Sequence, residues 1–241
     1  MPRHPRLRDR AIPGVLLARA TSPHETVVLR TPGRVDYAAA FDAMRVFTDT
    51  RSPRTPDEIW LLEHRPVFTM GLKGRGGART HIRDIPLVYT DRGGDITYHG
   101  PGQWVAYVLM DLERRGWGAK RLVQALEQAI IQLLASHQIR ADRRAGAPGV
   151  YVAGAKIASL GLRVRRGCSY HGIAFNVDMD LAPFSWIDPC GYPGQPVTQL
   201  VDLGIRRDLA DVGRDLLGHL TRELGYTGSN PGFGDLPRPS P

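Results

Sequence analysis

The 241-residue chain is 42% hydrophobic and carries 32 lysines and arginines against 24 acidic residues, a formal charge of +8. That content can bury one sizeable core. No apolar run reaches the roughly 20 residues that would cross a bilayer, and there is no signal-peptide core, so no membrane partner is expected. Two cysteines, Cys168 and Cys190, are too few for a disulfide framework and fit a reducing, cytoplasmic setting. The basic excess suits nucleic acid or an acidic protein equally well, and charge alone does not choose between them.

Taken in chain order, residues 1–24 read as a flexible basic extension with Arg3, Arg6, Arg8, Arg10 and Arg19 among scattered prolines. Pro2, Pro5 and Pro13 oppose the amphipathic helix of a mitochondrial presequence. Val35 to Thr50 predicts a helix. A buried strand around Ile59-Trp-Leu-Leu62 follows within Glu58 to Thr69, and Trp104 to Met110 is a second strand-like run. Leu122, Leu126, Ala129, Ile130, Leu133 and Leu134 fall at helical spacing, which predicts a helix over Ala119 to Gln138. Gly149 to Val152, Ala155 to Val164 and Tyr170 to Val177 read as strands of a mixed or antiparallel sheet. Leu209 to Leu224 is a late helix. Residues 227–241, rich in Gly, Pro and Ser, read as a flexible tail. Strand runs interleaved with helices, without strict βαβ repetition, indicate one α+β domain over residues 25–226.

One segment dominates the functional reading. Residues 92–107 run Arg-Gly-Gly-Asp-Ile-Thr-Tyr-His-Gly-Pro-Gly-Gln-Trp-Val-Ala-Tyr. Glycines clear side chains where backbone must bend or approach a ligand, and the polar residues between them supply donors and acceptors. Two further blocks follow: Gly154-Ala-Lys156-Ile-Ala-Ser159-Leu-Gly161, then His171-Gly-Ile-Ala-Phe-Asn176 leading to Phe184-Ser-Trp-Ile-Asp-Pro-Cys190-Gly191. In order and spacing, from about Glu58 to Leu203, these blocks closely resemble the lipoyl(octanoyl) transferases.

The resemblance implies the α+β fold of biotin and lipoate protein ligase catalytic domains, with mixed and antiparallel sheets flanked by helices. It implies transfer of an octanoyl or lipoyl group from acyl carrier protein to a lysine of a lipoyl domain. Acceptors would be 2-oxoacid dehydrogenases and the glycine cleavage H protein. Cys190 and Lys156 match the family's catalytic pair. Arg92, Gly93, Gly94, Asp95, Ile96, Thr97, Tyr98 and His99 match its acyl-substrate site, as do Ser159, Leu160 and Gly161 with Gly172, Ile173 and Ala174.

Residue chemistry agrees with that assignment. A free thiol, with a pKa of about 8.5, is mostly protonated at neutral pH, and a nearby ammonium enlarges its thiolate fraction. Only Lys73, Lys120 and Lys156 among the 32 basic residues are lysines. Lysine can release a proton where arginine cannot, and Lys156 lies in an apolar strand pattern. Exchanging one thioester for another is nearly isoenergetic, so no ATP, cofactor or metal is expected. His99 competes for the base role, but is read as a pocket or orienting group because the family assigns the dyad to cysteine and lysine. His171 is read as structural. Cys168 is read as a buried hydrophobe, at a position where the family more often carries an aliphatic or hydroxyl residue.

Three rival functions are weaker. Lys73-Gly-Arg-Gly-Gly-Ala-Arg79 faintly resembles an adenylate loop, but an ATP-dependent ligase would not need Cys190. A cysteine hydrolase would use water as acceptor. A nucleic-acid reader would carry a recognisable motif, and none is present.

Overall fold

A computed structural model describes residues 25–74, 79–188, 194–232 and 236. The strands are β1 (Thr26–Val35), β2 (Asp57–His64), β3 (Val67–Met70), β4 (His81–Ile82), β5 (Ile85–Tyr89), β6 (Ile96–His99) and β7 (Gln103–Leu109). They continue with β8 (Asp142–Arg143), β9 (Gly149–Val152), β10 (Ala155–Arg165), β11 (Cys168–Asn176) and β12 (Gly228–Pro231). Helices α1 (Tyr37–Thr50), α2 (Ala119–Ser136) and α3 (Leu209–Glu223) complete the frame.

Eight strands form one sheet in the order β12-β1-β2-β7-β11-β10-β9-β8, and a small second sheet has the order β4-β5-β3-β6. The large sheet mixes parallel pairing at β1 with antiparallel pairing from β2 onward. Its central strands alternate between two cores, with a break at His171 of β11, where φ is 61°. Ile59 and Leu61 of β2, Ala106 and Val108 of β7, and Ile173 and Phe175 of β11 face α2 and α3. Trp60, Leu62, Val105, Tyr107, Tyr170 and Ala174 face α1 and Val67 of the small sheet. Period-two projection of side chains produces this division. A third cluster, with Phe68, Ile96, Tyr98 and Phe184, fills the space behind the small sheet.

The helices form where their apolar faces have a sheet to cover. In α2, Leu122, Leu126, Ala129, Ile130, Leu133 and Leu134 are buried at the expected spacing. In α3 the Asp208 carboxylate accepts the Ala210 N–H at 2.7 Å, satisfying one unpaired donor of the first turn. α1 starts two residues later than the pattern suggests, because Val35 still belongs to β1 and Asp36 remains extended. The segment read as a flexible tail from residue 227 begins as β12, paired in parallel with Thr26 to Leu29, so strand structure continues past the expected boundary at 226. Residues 1–24 lie outside the described residues. No helix among the described residues is long and apolar enough to cross a membrane.

Candidate active site

Adjacent strands bring the sequence blocks together. β10 pairs antiparallel with β11, so Ser159 stands opposite Ala174, Leu160 opposite Ile173 and Gly161 opposite Gly172. The loop before β6 lies against the same strands: Gly93 donates its N–H to Leu162 O at 2.8 Å. A Cβ on Gly161 would stand 2.9 Å from Gly93 O, and one on Gly172 only 1.9 Å from Ala106 O. Glycine at both positions is thus required by backbone approaching backbone.

Between these elements lies a cavity enclosing about 550 Å³ of empty space, part of it open to solvent. The loop and β6 contribute Arg92, Gly94, Asp95, Ile96, Thr97 and His99 to its lining. β10 contributes Lys156, Ser159, Leu160 and Gly161, and β11 contributes Gly172, Ile173 and Ala174. Gly93 and Tyr98 are not among the lining residues. The Tyr98 ring turns to the opposite face of β6, 5.3 Å from Phe68 and 5.6 Å from Phe184 between centroids.

Lys156 is 6% exposed, and its ammonium lies 5.4 Å from the centroid of the Tyr151 ring. Gly149 makes room for it, since a Cβ there would stand 3.0 Å from Lys156 Cε. The backbone of Lys156 is pinned on both sides. Its N–H donates to Pro196 O at 2.8 Å, and its carbonyl accepts the Thr198 N–H at 3.0 Å. A register shift between Lys156 and Ala158 marks a bulge, a device that re-aims side chains. Cys190, with Pro189 and Gly191, lies outside the described residues. Cys168 is 5% exposed, and burial pushes its thiol pKa up, which fits a packing role.

A buried polar chain joins the signature segment to Lys156. Arg92 donates to Thr69 O at 2.6 Å and to Thr69 Oγ1 at 2.8 Å. Thr69 Oγ1 lies 3.4 Å from His99 Nε2, and His99 Nδ1 lies 2.8 Å from Gln103 Oε1. Gln103 Nε2 donates to Asn176 Oδ1 at 2.9 Å, and Asn176 Nδ2 donates to Thr198 O at 3.0 Å. The Thr198 carbonyl can only accept, which orients Asn176 and then Gln103. His99 is therefore held with its proton on Nδ1 and its bare Nε2 toward Thr69. Burial first, then neighbouring His64 and Arg92, pull the His99 pKa down to about 3 against the Gln103 bond. A neutral, fixed imidazole fits an orienting role better than proton transfer near pH 7.

Five residues not placed in the site from sequence, or given another role, sit in or beside it. Tyr37, Val105, Tyr107 and His171 line the cavity. Asp91 Oδ1 holds His171 Nε2 at 3.0 Å, and Asp91 Oδ2 accepts from the Tyr170 hydroxyl. Burial would raise the Asp91 pKa, but these hydrogen bonds outweigh it and bring it to about 2. Burial also lowers the pKa of His171, which is 1% exposed. His64 donates from Nδ1 to Val35 O at 2.7 Å and accepts the Tyr107 hydroxyl on Nε2 at 2.6 Å. Tyr37 sits inside a segment whose periodicity speaks only of a helix, so its spacing carries no site signal. Asp91, an acid immediately preceding the Arg-Gly-Gly block, was a readable flag. Among the described residues, no group of three or more His, Cys, Asp or Glu side chains converges as a metal site.

Fold and cavity together define a class: catalytic domains of lipoate and biotin ligase architecture. Lipoate-protein ligase A bound with ATP superposes with a TM-score of 0.70 at 13% identity, covering 87% of this chain and 90% of that one. A bipartite lipoate protein ligase from Thermoplasma acidophilum gives 0.67 at 14% identity, over 87% and 88% of the two chains. At such identities the likeness shows the fold alone. The family model of the lipoyl protein ligase A/B catalytic domain matches residues 36–221, and the chain belongs to that family. Relatives named octanoyltransferase are much closer. The one from Thiobacillus denitrificans is 57% identical over 202 residues, covering 84% of this chain and 93% of its own. That from Nitrosococcus oceani is 53% identical over 211 residues, covering 88% and 93%.

Proposed function

We propose that the cavity holds the acyl chain and that Cys190 and Lys156 are its reacting pair. The enzyme is an acyltransferase that transfers octanoyl groups in protein lipoylation, as its relatives at 52% to 58% identity are octanoyltransferases. The supporting observation for the pair is the placement of Lys156. It is a buried lysine in the lining of the cavity, and its backbone is bonded to Pro196 and Thr198, in the segment that follows Cys190. Cys190 is six residues before Pro196, a reach of about 20 Å at most.

The chemistry balances without an external energy source. Lys156 takes the proton of the Cys190 thiol, and the thiolate attacks the thioester carbonyl of the donor. The donor's C–S bond breaks, its thiolate recovers a proton, and the octanoyl group rests on Cys190 Sγ. The acceptor lysine, deprotonated by neutral Lys156, attacks that thioester; as the amide forms its nitrogen gives up a second proton, which the departing Cys190 thiolate takes, and Lys156 releases its own proton to solvent. Proton positions within the dyad are coupled, so its titration belongs to the pair. Ile96, Val105, Leu160, Ile173 and Ala174 give the cavity apolar walls, and each buried methylene of the chain contributes about 0.8 kcal/mol. The donor is octanoyl-acyl carrier protein. The acceptors are lipoyl domains of 2-oxoacid dehydrogenases and the glycine cleavage H protein, in a reducing cytoplasm that keeps Cys190 a thiol.

Intact-mass measurement tests this directly. Octanoyl-carrier protein without acceptor should leave one hydroxylamine-labile octanoyl adduct, mapping to Cys190 and not to Cys168, and a lipoyl domain should discharge it. Cys190→Ala should abolish both steps. Full turnover by Cys190→Ala, or strict dependence on ATP, would reopen the ligase reading.

A further inference from the structure

The cavity is apolar along much of its wall but not at one end. Lys156 lies at the start of β10 and Leu162 toward its far end, and His171 pairs with Leu162. Tyr107 pairs with Gly172, next to His171. The part of the lining remote from Lys156 therefore contains His171 and Tyr107. Tyr37 joins them, because Phe41 packs against both Tyr37, at 6.3 Å, and His171, at 5.4 Å between centroids.

Two polar atoms in this group are buried and have no hydrogen-bond partner among the described residues: Tyr37 Oη and His171 Nδ1. Thr90 and Tyr107 lie near the Tyr37 hydroxyl, but neither meets it at hydrogen-bonding geometry. The two atoms are complementary. Asp91 accepts a hydrogen bond from His171 Nε2–H, which leaves Nδ1 of the neutral ring as a bare acceptor, while Tyr37 supplies a donor. His171 also holds a φ of 61°, uncommon for a residue with a side chain, and such outliers point to a function that the surroundings enforce.

We propose that this end of the cavity is a small hydrated chamber, with water held by Tyr37 Oη and His171 Nδ1, and that it sets the upper length of acyl chain the enzyme accepts. One water donates to His171 Nδ1 and accepts from Tyr37. Its second proton reaches a lone pair of Tyr107 Oη, whose own proton goes to His64. Three partners are what a buried water normally makes. A chain that stops short of the chamber leaves the water in place. A longer chain expels it, and a methyl terminus cannot replace its hydrogen bonds, so both protein groups are left unpaired.

This inference rests on the acyl-chain reading of the cavity, and the experiment separates the two. Transfer rates are measured with octanoyl, decanoyl and dodecanoyl carrier-protein thioesters for the wild-type chain and its variants, each checked by thermal melting. In Tyr37→Phe the decanoyl-to-octanoyl ratio of kcat/KM should rise about tenfold, since one buried group no longer needs the water. His171→Gln, whose amide reaches Asp91 but puts no acceptor at the Nδ1 position, should shift the ratio the same way. His171→Asn, which keeps an acceptor there and tolerates positive φ, should stay nearer the wild type. An unchanged ratio in folded Tyr37→Phe overturns the chamber. Should that variant not fold, equal ratios in the two His171 variants overturn it. Absence of octanoyl transfer by the wild-type chain would overturn the acyl-transfer reading instead.

Discussion

Lys156 shows how much a single position can require of its side chain. It sits in a buried cavity wall beside Tyr151 and Gly149, and in the proposed mechanism it must also exchange a proton. Arginine satisfies the charge but not the exchange, because guanidinium does not release its proton in proteins. Lys156→Arg should therefore lower kcat by at least about a hundredfold, the lower end of what acid–base groups contribute. Transfer within a few-fold of wild type would assign Lys156 a purely electrostatic role. The histidines under α1 make a second residue-scale case. Burial lowers the pKa of His64 from 6.5 to about 4, and that of His99 from 6.5 to about 3. In the unfolded chain both bind protons near pH 6.5, so below that pH the unfolded state takes up more protons than the folded one. Stability should hold above pH 6.5 and fall steadily as the pH drops toward 4 and then 3. His64→Gln removes one of these groups, so its thermal melting temperature should depend less steeply on pH over that range. An unaltered slope would move the acid sensitivity to other groups.

At the scale of elements, legibility followed periodicity. α2 and α3 were readable because a repeated apolar face has one explanation, and β9 through β11 because their buried runs are bounded by glycines and turns. β1 was not, since Pro32 and Gly33 interrupt it and its register shifts between Arg30 and Gly33. The small sheet was not, because its strands are two to five residues long and show no period. This affected the site as well. The block from Arg92 to His99 was legible as one glycine-rich unit, but its last four residues are β6, whose alternation sends Tyr98 away from the cavity and turns Thr97 and His99 into its wall. Tyr37, Tyr107 and Asp91 enter the site from α1, β7 and the loop after β5, and only tertiary pairing brings them there. β11 offers a test of how tightly those elements are locked. Gly172→Ala would place a Cβ 1.9 Å from Ala106 O, a backbone atom that cannot swing aside. It should destabilise the protein by about 1–3 kcal/mol or more. Gly218→Ala, in α3 with nothing among the described residues within 4 Å of the added carbon, should be neutral or stabilising by up to about 1 kcal/mol. Comparable melting temperatures for the two variants would mean that β7 and β11 can part at this crossing.

For the whole molecule, the large sheet carries Lys156 and the β10 and β11 walls, while the small sheet carries β6, so the site is a seam between two sheets rather than a feature of either. Across that seam the hydrogen-bond chain from Arg92 through Thr69, His99, Gln103 and Asn176 to Thr198 ties the signature segment to the backbone partner of Lys156. Arg92 and Lys156 are the basic residues among the described ones that line the cavity, so they account for little of an excess of +8 over the chain. Charge of this size acts at longer range, by raising the rate at which an acidic partner arrives in a productive orientation. Salt screens such a field within about 8 Å at physiological ionic strength. Raising salt should therefore slow association with the carrier protein, measured by rapid mixing under single-turnover conditions. The rate of acyl transfer in the preformed complex should stay nearly constant, because Lys156, one of the proposed reacting pair, is buried and poorly screened. If association is insensitive to salt, the basic surface does not steer the donor; if the chemical step slows instead, the charge acts within the cavity rather than on encounter.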